Sequence, residues 1–480
     1  MTTHVPAAPP TASAAPARSR TLALAVLCAG MLMIILDGSI VTVALPAIQR
    51  DLHFSPADLT WTVNAYLIAF GGLLLLAGRL GDLIGRKRVF VAGLALFTAA
   101  SLLCAGATGQ QALIAARFLQ GVGGAMASAV SLGMIVTLFP EPAERGRAIG
   151  AFSFVGAAGA SVGQVLGGVL TQALDWHWIF LINLPLGLAA VVLALRVLES
   201  DRGPGLRAGA DVLGAVLVTA ALMLGIYAIV GTGGHGWASA RTLGLGALSL
   251  ALLAGFLLRQ ARAAHPLLPL RMFRSRNVSG ANAVQVLMVS ALFSFQVLVA
   301  LYLQDVRGYG PAATGLAMLP AALAIGTVSL ALSARLNARF GERPVLLAGL
   351  ALLVGALALL ARLPADAHYA VDLLPTMLLA AGFGLAISAL TALGMSGAGP
   401  KDAGTASGLF NTTQQVGGAL GVAVLTTLAN GRAGALRAAG QPAAEALTGG
   451  FRLAFAVGAG LLTAALLLAA AVLRPAARRG

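Results

Sequence analysis

An all-α polytopic membrane fold is predicted for this chain by three observations: its apolar content, the recurrence of helix-length apolar runs, and the uneven placement of its basic residues. Of 480 residues, 59% are hydrophobic and only 10% charged, with a mean hydropathy of +0.90. A water-facing globule cannot bury that much apolar surface, so lipid has to be the solvent. Apolar runs of roughly 20 residues, each able to cross a ~30 Å hydrocarbon layer as a helix, recur from Thr21 onward, about 14 in all. They are placed at 22–44, 58–78, 88–108, 111–137, 147–171, 178–198, 211–231, 242–259, 279–304, 311–334, 344–362, 370–396, 405–429 and 452–473.

The net charge of +15 raises the alternative of a nucleic-acid binder, and the location of the charges decides against it. With the N-terminus inside, about 23 of the 31 Lys and Arg fall in inner segments and about 7 in outer loops. The densest inner clusters are Arg86, Lys87 and Arg88, then Arg259, Arg262, Arg271, Arg274 and Arg276, short and divided among separate loops. Trp61, Trp176, Trp178 and Trp237 fall at outer span ends, where an amphipathic ring prefers the headgroup layer. Cys28 and Cys104 lie inside spans and suggest neither a disulfide framework nor a metal site. No cofactor is expected. The excess of Arg over Lys, with abundant Ala and Gly, points to a GC-rich bacterial gene, hence a bacterial cytoplasmic membrane with both termini inside.

Residues 1–20 read as a disordered inner tail and 475–480 as a second one; span 1 is expected to stay uncleaved. The stretch Gly78-Arg-Leu-Gly-Asp-Leu-Ile-Gly-Arg-Lys-Arg88 is echoed by Ala334-Arg-Leu-Asn-Ala-Arg-Phe-Gly-Glu-Arg343, and Gly159 and Gly163 by Gly417 and Gly421. The two echoes share nearly one register, which predicts two related halves. Six spans at 21–198 and six at 279–474 therefore form two bundles, with 199–278 supplying a linker and an inserted two-helix hairpin.

Four stretches in order carry a resemblance to a known family: Leu36-Asp-Gly-Ser-Ile-Val-Thr-Val-Ala-Leu-Pro46, Gly78 to Arg88, Arg117-Phe-Leu-Gln-Gly-Val-Gly-Gly-Ala125, and Gly159 to Gly168 followed by Trp176-His-Trp-Ile-Phe-Leu-Ile-Asn-Leu-Pro-Leu-Gly187. From Thr21 to Arg474 the chain resembles the major facilitator superfamily, specifically its 14-span drug:proton antiporter branch. The resemblance implies the major facilitator fold and proton-coupled export of lipophilic or amphipathic small molecules. Gln164, His177 and Ala338 depart from the proline, arginine and acidic residue usual at those places.

Only Asp37 and Arg117 are charged and well inside spans, which makes each a functional candidate by default. Desolvation raises a carboxyl pKa, so Asp37 can load a proton in one conformation and release it in another. Arg117 and Gln120 share a helix face, suited to substrate hydrogen bonds or to biasing the proton site. In the loop Gly81, Asp82, Gly85, Arg86 and Lys87, the carboxylate can cap a helix in the opposite half, and the cations can pair with Glu141 or Glu144. The resemblance implies a gating role there. Gly159, Gly163, Gly167 and Gly168, with Gly156 and Gln164, form a close-approach segment that the resemblance associates with exporters and with sealing the halves. For the substrate path, Asn64, Asn282, Gln285, Gln296, Asn411, Gln414 and Gln415 offer amides, and Met288 and Phe295 apolar lining.

Competing readings are a proton-coupled importer of a polar metabolite and a membrane-embedded lipid-modifying enzyme. The enzyme needs clustered His, Asp or Cys, and the histidines are scattered over tail and loops. Gly159-Ala-Ser-Val-Gly163 matches a hydrolase elbow in letters but lies within an apolar span. No Walker loop supports ATP drive. The expected partners are a small-molecule substrate, protons and the bilayer, without nucleic acid, and a monomer is expected to suffice.

Overall fold

A backbone crossing hydrocarbon has to satisfy its own N–H and C=O groups, and a helix does so within one segment. In the computed structural model, which describes residues 17–201, 203, 205, 209, 211–264, 266–396 and 403–474, all regular secondary structure among the described residues is helical. Fourteen helices among them are long and apolar enough to cross a membrane. In chain order these are span 1 Arg20–Asp51, span 2 Asp58–Ile84, span 3 Arg86–Ala105, span 4 Gln110–Leu138, span 5 Arg147–Ala173, span 6 Trp178–Val197, span 7 Val212–Thr232, span 8 Ala240–Arg262, span 9 Arg276–Val306, span 10 Pro311–Phe340, span 11 Glu342–Leu360, span 12 Tyr369–Met395, span 13 Ala406–Ala438 and span 14 Ala443–Val472. Every predicted span has its counterpart. Residues 1–16 and 475–480, read above as tails, lie outside the described residues.

The largest differences from expectation are at the ends of spans 13 and 14, which together run to Ala438 and start at Ala443. Hydropathy stops counting where Arg432, Arg437, Glu445 and Arg452 begin, but a helix needs no apolar side chains once it leaves hydrocarbon.

Polar contacts define two faces of the bundle. At the face where the described residues begin and end (the face of the chain ends), Arg20 pairs with Glu144 at 3.0 Å, and Asn277 exchanges hydrogen bonds with the backbone of Arg474. At the opposite face, Trp176 donates to Asp51 at 2.9 Å, and Gln110 donates to the carbonyls of Leu52 and His53.

The internal repeat is visible in the packing. Gly159, Gly163 and Gly167 of span 5 lie against Leu32, Ser39 and Ile40 of span 1, while Gly417 and Gly421 of span 13 lie against Val286, Val289 and Ser290 of span 9. Gly93 and Gly123 bring spans 3 and 4 together as Gly349 and Gly382 bring spans 11 and 12. Gly85 and Gly341, with φ of 104° and 86°, each turn the chain into the following span in a conformation that side chains disfavour. One large apolar core fills spans 9–14, and two others are built mainly from spans 1–6.

The halves meet along two seams. Gly71 and Leu75 of span 2 lie against Gln415 and Gly408 of span 13, and Gln164 and Gly168 of span 5 lie against Gly315 and Pro311 of span 10. The hairpin docks through span 7, where Thr219 lies against Gly72 of span 2, and Leu217 and Val218 join a small core with Met272, Ala406 and Leu409. A polar knot ties it: Asp211 caps span 7 by accepting from the Gly214 N–H and is held by Arg259 and Gln260 of span 8, whose amide oxygen accepts from the Leu268 N–H. Burial pushes the Asp211 carboxyl up, but the hydrogen bonds from Arg259, Gly214 and Gln260 outweigh it and hold the group below the ordinary carboxylate range.

Two expectations follow. A Cβ at Gly93 would approach the Ala127 nitrogen to 2.6 Å and the Gly123 carbonyl to 2.8 Å, so Gly93→Val has to separate spans 3 and 4, at a cost of about 1–3 kcal/mol. Gly244→Val, where a Cβ meets open space, is the control. Thermal unfolding in detergent should show a lowered midpoint for the first only. A depressed Asp211 pKa stabilises the fold above the unfolded value of about 4 and loses that contribution as pH falls through the folded value. Asp211→Asn should therefore lower the unfolding midpoint at neutral pH and converge on the parent protein in acid; a pH-independent gap contradicts the assignment.

Candidate transport site

Asp37 sits mid-way along span 1 with no solvent exposure, one residue before a glycine that carries no side chain to crowd it. Arg117 and Gln120, three residues apart on span 4, reach it together. Arg117 Nη1 donates to Asp37 Oδ2 at 2.5 Å, and Gln120 Nε2 donates to Oδ1 at 2.7 Å. Asn183, five residues into span 6 and two before Pro185, donates from Nδ2 to the same Oδ1 at 3.1 Å. All four side chains are buried.

Arg117 also has neutral partners. Its Nε donates to the Thr62 carbonyl at 2.8 Å and its Nη1 to Gln120 Oε1 at 2.5 Å, while its guanidinium carbon stands 4.5 Å from the Tyr66 ring centre and 5.8 Å from that of Phe180. Carbonyl oxygen, amide oxygen and aromatic faces all favour a cation. Gln120 Nε2 additionally donates to Ser101 on span 3, so the network joins spans 1, 2, 3, 4 and 6. Such a site can change the charge of its carboxyl without stranding its arginine.

Nearby, a cavity of about 350 Å³ opens between the two halves toward the opposite face. Span 1 contributes Leu45 and Gln49, span 2 Leu59, Thr60 and Val63, span 9 Val297, Leu301 and Asp305, span 13 Val422, Thr426, Asn430 and Arg437, and span 14 Phe451. The four network side chains do not line it; the two are linked through span 2, where Thr60 and Val63 of the wall lie close in the chain to Thr62, the acceptor for Arg117. At the face of the chain ends, the seam between spans 2 and 13 is packed. The π-helical turn Tyr302–Val306 presents Asp305 to the cavity while Gln304 donates to the Val43 carbonyl of span 1 at 2.8 Å.

The residues expected along the substrate path separate into groups. Asn64 is buried on span 2 with both amide atoms unpartnered. Gln285 donates to the Phe410 carbonyl and Asn282 accepts from Thr413, tying span 9 to span 13. Asn411 donates to its own helix at Ser407; Gln414 and Gln415 are half-buried, the latter at the seam with Gly71; Gln296 is half-buried on span 9. Met288 and Phe295 do not line the cavity: they face Leu353, Leu357 and Leu462 within the core of spans 9–14, because a period-based reading cannot tell which face of an apolar helix meets its own half.

The loop after span 2 has partners other than those expected. Asp82 accepts from Arg86 at 3.1 Å, and Glu144 is held by Arg20 rather than by the loop cations. The capping carboxylate is that of Asp201, which accepts from the Arg86 and Lys87 N–H groups at the start of span 3, while Lys87 Nζ closes the end of span 6 through the Leu195 and Leu198 carbonyls. Arg86 also donates to the Gly133 carbonyl of span 4, and Gly81 packs on Val130. The spacing of the loop gives no sign of Asp201, which returns from more than 100 residues away. Asp305 was likewise not anticipated, lying one residue past the expected end of span 9. Asn183 carried the same signal as Gln120, a buried amide in an apolar run, but its position near a span end concealed it.

The fold and the site together define a membrane carrier of two related bundles around a central path. The sequence matches the Major Facilitator Superfamily over residues 27–422. The chain belongs to that family. It is 39% identical over 453 residues to the puromycin resistance protein pur8 of Streptomyces alboniger, covering 92% of this chain and 90% of the relative. It is 40% identical over 413 residues to the cephamycin export protein CmcT of Amycolatopsis lactamdurans, covering 85% of each. In fold it is similar to an auto-inhibited POT family peptide transporter, with a TM-score of 0.69 at 17% identity over 96% of this chain and 99% of that one.

Removing Arg117 leaves a buried carboxylate without its cation, a loss of about 3–5 kcal/mol, whereas Asp37→Asn leaves Arg117 its neutral partners. Arg117→Leu should therefore unfold at a lower temperature than Asp37→Asn, and the double variant should recover part of the loss. Strictly additive midpoints would contradict the pairing.

Proposed function

We propose that this protein is a proton-coupled exporter of lipophilic or amphipathic small molecules, antibiotics among them, in a bacterial cytoplasmic membrane. The observation that carries the reading is the buried Asp37–Arg117–Gln120 network on spans 1 and 4, set behind a cavity between two related halves whose span 2 wall, at Thr60 and Val63, adjoins the Arg117 acceptor Thr62 in the chain. A carboxyl group in such surroundings exchanges a proton only when a conformational change lets water reach it, which links protonation to which face is open. The cavity supports the substrate class: Leu45, Leu59, Val297, Val422 and Phe451 offer apolar contact, and Gln49, Asp305 and Asn430 a few polar ones.

The bias of basic residues supports placing the face of the chain ends in the cytoplasm, so that the cavity faces outward. The packed seam between spans 2 and 13 then acts as the inner gate, with the loop of Gly81, Asp82, Gly85, Arg86 and Lys87 beneath it. Gly159, Gly163 and Gly167 hold span 5 to span 1, and Gln164 and Gly168 meet span 10 across the halves. We assign 21–198 and 279–474 as the two moving bundles and 199–278 as linker and hairpin. Export rather than import is favoured by relatives named for puromycin resistance and cephamycin export.

The test is accumulation of a compound panel in cells lacking the gene or carrying wild-type or Asp37→Asn protein, with and without an uncoupler. Wild-type cells should accumulate least, and both Asp37→Asn and the uncoupler should raise accumulation to the level of the deletion. Higher accumulation with the wild-type protein indicates import, and indifference to the uncoupler rejects proton coupling.

A further inference from the structure

Asp37 Oδ1 accepts from two amides, but only one of them is free to change roles. Gln120 is locked: its Oε1 accepts from Arg117 Nη1 while its Nε2 serves both Asp37 and Ser101, so turning the amide would set N–H groups against the guanidinium. Asn183 is not locked. Its Nδ2 donates to Asp37 Oδ1, yet its Oδ1 is buried without a hydrogen-bond partner. Leaving a buried acceptor unpaired is unfavourable, and a second state of the site that uses it accounts for its presence.

We propose that Asn183 is a positioning residue for proton transfer, turning its amide to donate to the Asp37 carboxylate and to accept from the Asp37 carboxylic acid. The proposal rests on the proton-coupled reading and adds a residue to it. When a proton bonds to Asp37 Oδ1, the new O–H needs an acceptor inside the protein. A half-turn of the Asn183 side-chain amide exchanges its nitrogen and oxygen and supplies one. Arg117 keeps the Thr62 carbonyl, Gln120 Oε1 and the Tyr66 and Phe180 rings as the carboxyl loses its charge. On release the O–H bond breaks, the proton leaves to water, and the amide turns back; no other covalent bond changes.

The charged or titratable side chains facing Asp37 are Arg117 from span 4, Tyr66 from span 2 and Cys104 from span 3. Spans 5, 6, 9 and 10, which also pack on span 1, carry titratable side chains only near their ends. The acid form therefore has Asn183 as its acceptor, whereas the anion has Arg117 and Gln120 besides.

This asymmetry gives opposite signs. Removing Asn183 disfavours the acid more than the anion, and removing the Gln120 donor disfavours the anion. Full-length protein in lipid, titrated by infrared difference spectroscopy over about pH 4 to 9, reports the Asp37 carboxyl as the band lost in Asp37→Asn. Asn183→Leu should lower the titration midpoint by about one pH unit, a tenfold loss of proton affinity, and move the acid band to higher frequency. Gln120→Met should raise the midpoint, and Asn183→Ser, whose hydroxyl both donates and accepts, should return it toward the parent value. Should Asn183→Leu not fold, the Asn183→Ser and Gln120→Met shifts carry the test. Midpoint and band unchanged in Asn183→Leu, or a Gln120→Met shift of the same sign as the Asn183 variants, overturns the assignment. A parent protein with no titrating Asp37 band overturns the proton-coupled reading beneath it.

Discussion

The buried pair of Asp37 and Arg117 is the constraint around which the first half of this molecule is arranged. An ion pair in a low-dielectric interior is tolerated only when every remaining lone pair and N–H has a partner, because desolvation otherwise exceeds the attraction. Here five spans meet that demand, through Thr62, Ser101, Gln120, Asn183 and the rings of Tyr66 and Phe180. A static bundle would gain as much stability from apolar packing at the same place. Retention of the charges is intelligible if one of them is periodically neutralised, and the neutral contacts of Arg117 let that happen.

Glycine supplies the complementary property. Spans 1 and 5, and spans 9 and 13, are held in close contact by Gly159, Gly163 and Gly167 and by Gly417 and Gly421, so each half is packed as one body. The halves meet at one glycine-lined seam between spans 2 and 13 and another between spans 5 and 10. Two halves that each pack as a unit and meet at paired seams suit an alternating carrier. The inserted hairpin follows the same economy, since span 8 is largely exposed and adds only Phe256 to the small core that span 7 shares with span 13.

The polar devices at the face of the chain ends share a logic. Helix ends leave four N–H or C=O groups unsatisfied, and in this chain both distant segments and a local cap supply partners. Asp201 caps span 3, Lys87 closes span 6, and Asp211 caps span 7 while holding Arg259. The linker after span 6 is thereby fastened across the loop that precedes span 3, with the Gly205 N–H donating to the Leu83 carbonyl.

Much of this was legible in the sequence, and for identifiable reasons. Apolar length sets the number of spans because the bilayer has a fixed thickness, and the echo of Gly159 and Gly163 by Gly417 and Gly421 revealed the repeat because close helix approach admits no other side chain there. Asp37, Arg117 and Gln120 stood out because charge and amide are rare in apolar helices. Which partners they meet was settled only by tertiary structure. Asn183, Asp201 and Asp305 depend on contacts between segments far apart in the chain, and Met288 and Phe295 turn into their own half because packing, not periodicity, chooses the buried face of a helix that is apolar all round. Hydrophobic length and rarity of charge are properties of single segments and can be read along the chain; hydrogen-bond partnership and cavity lining belong to pairs of segments and exist only once the bundle has closed.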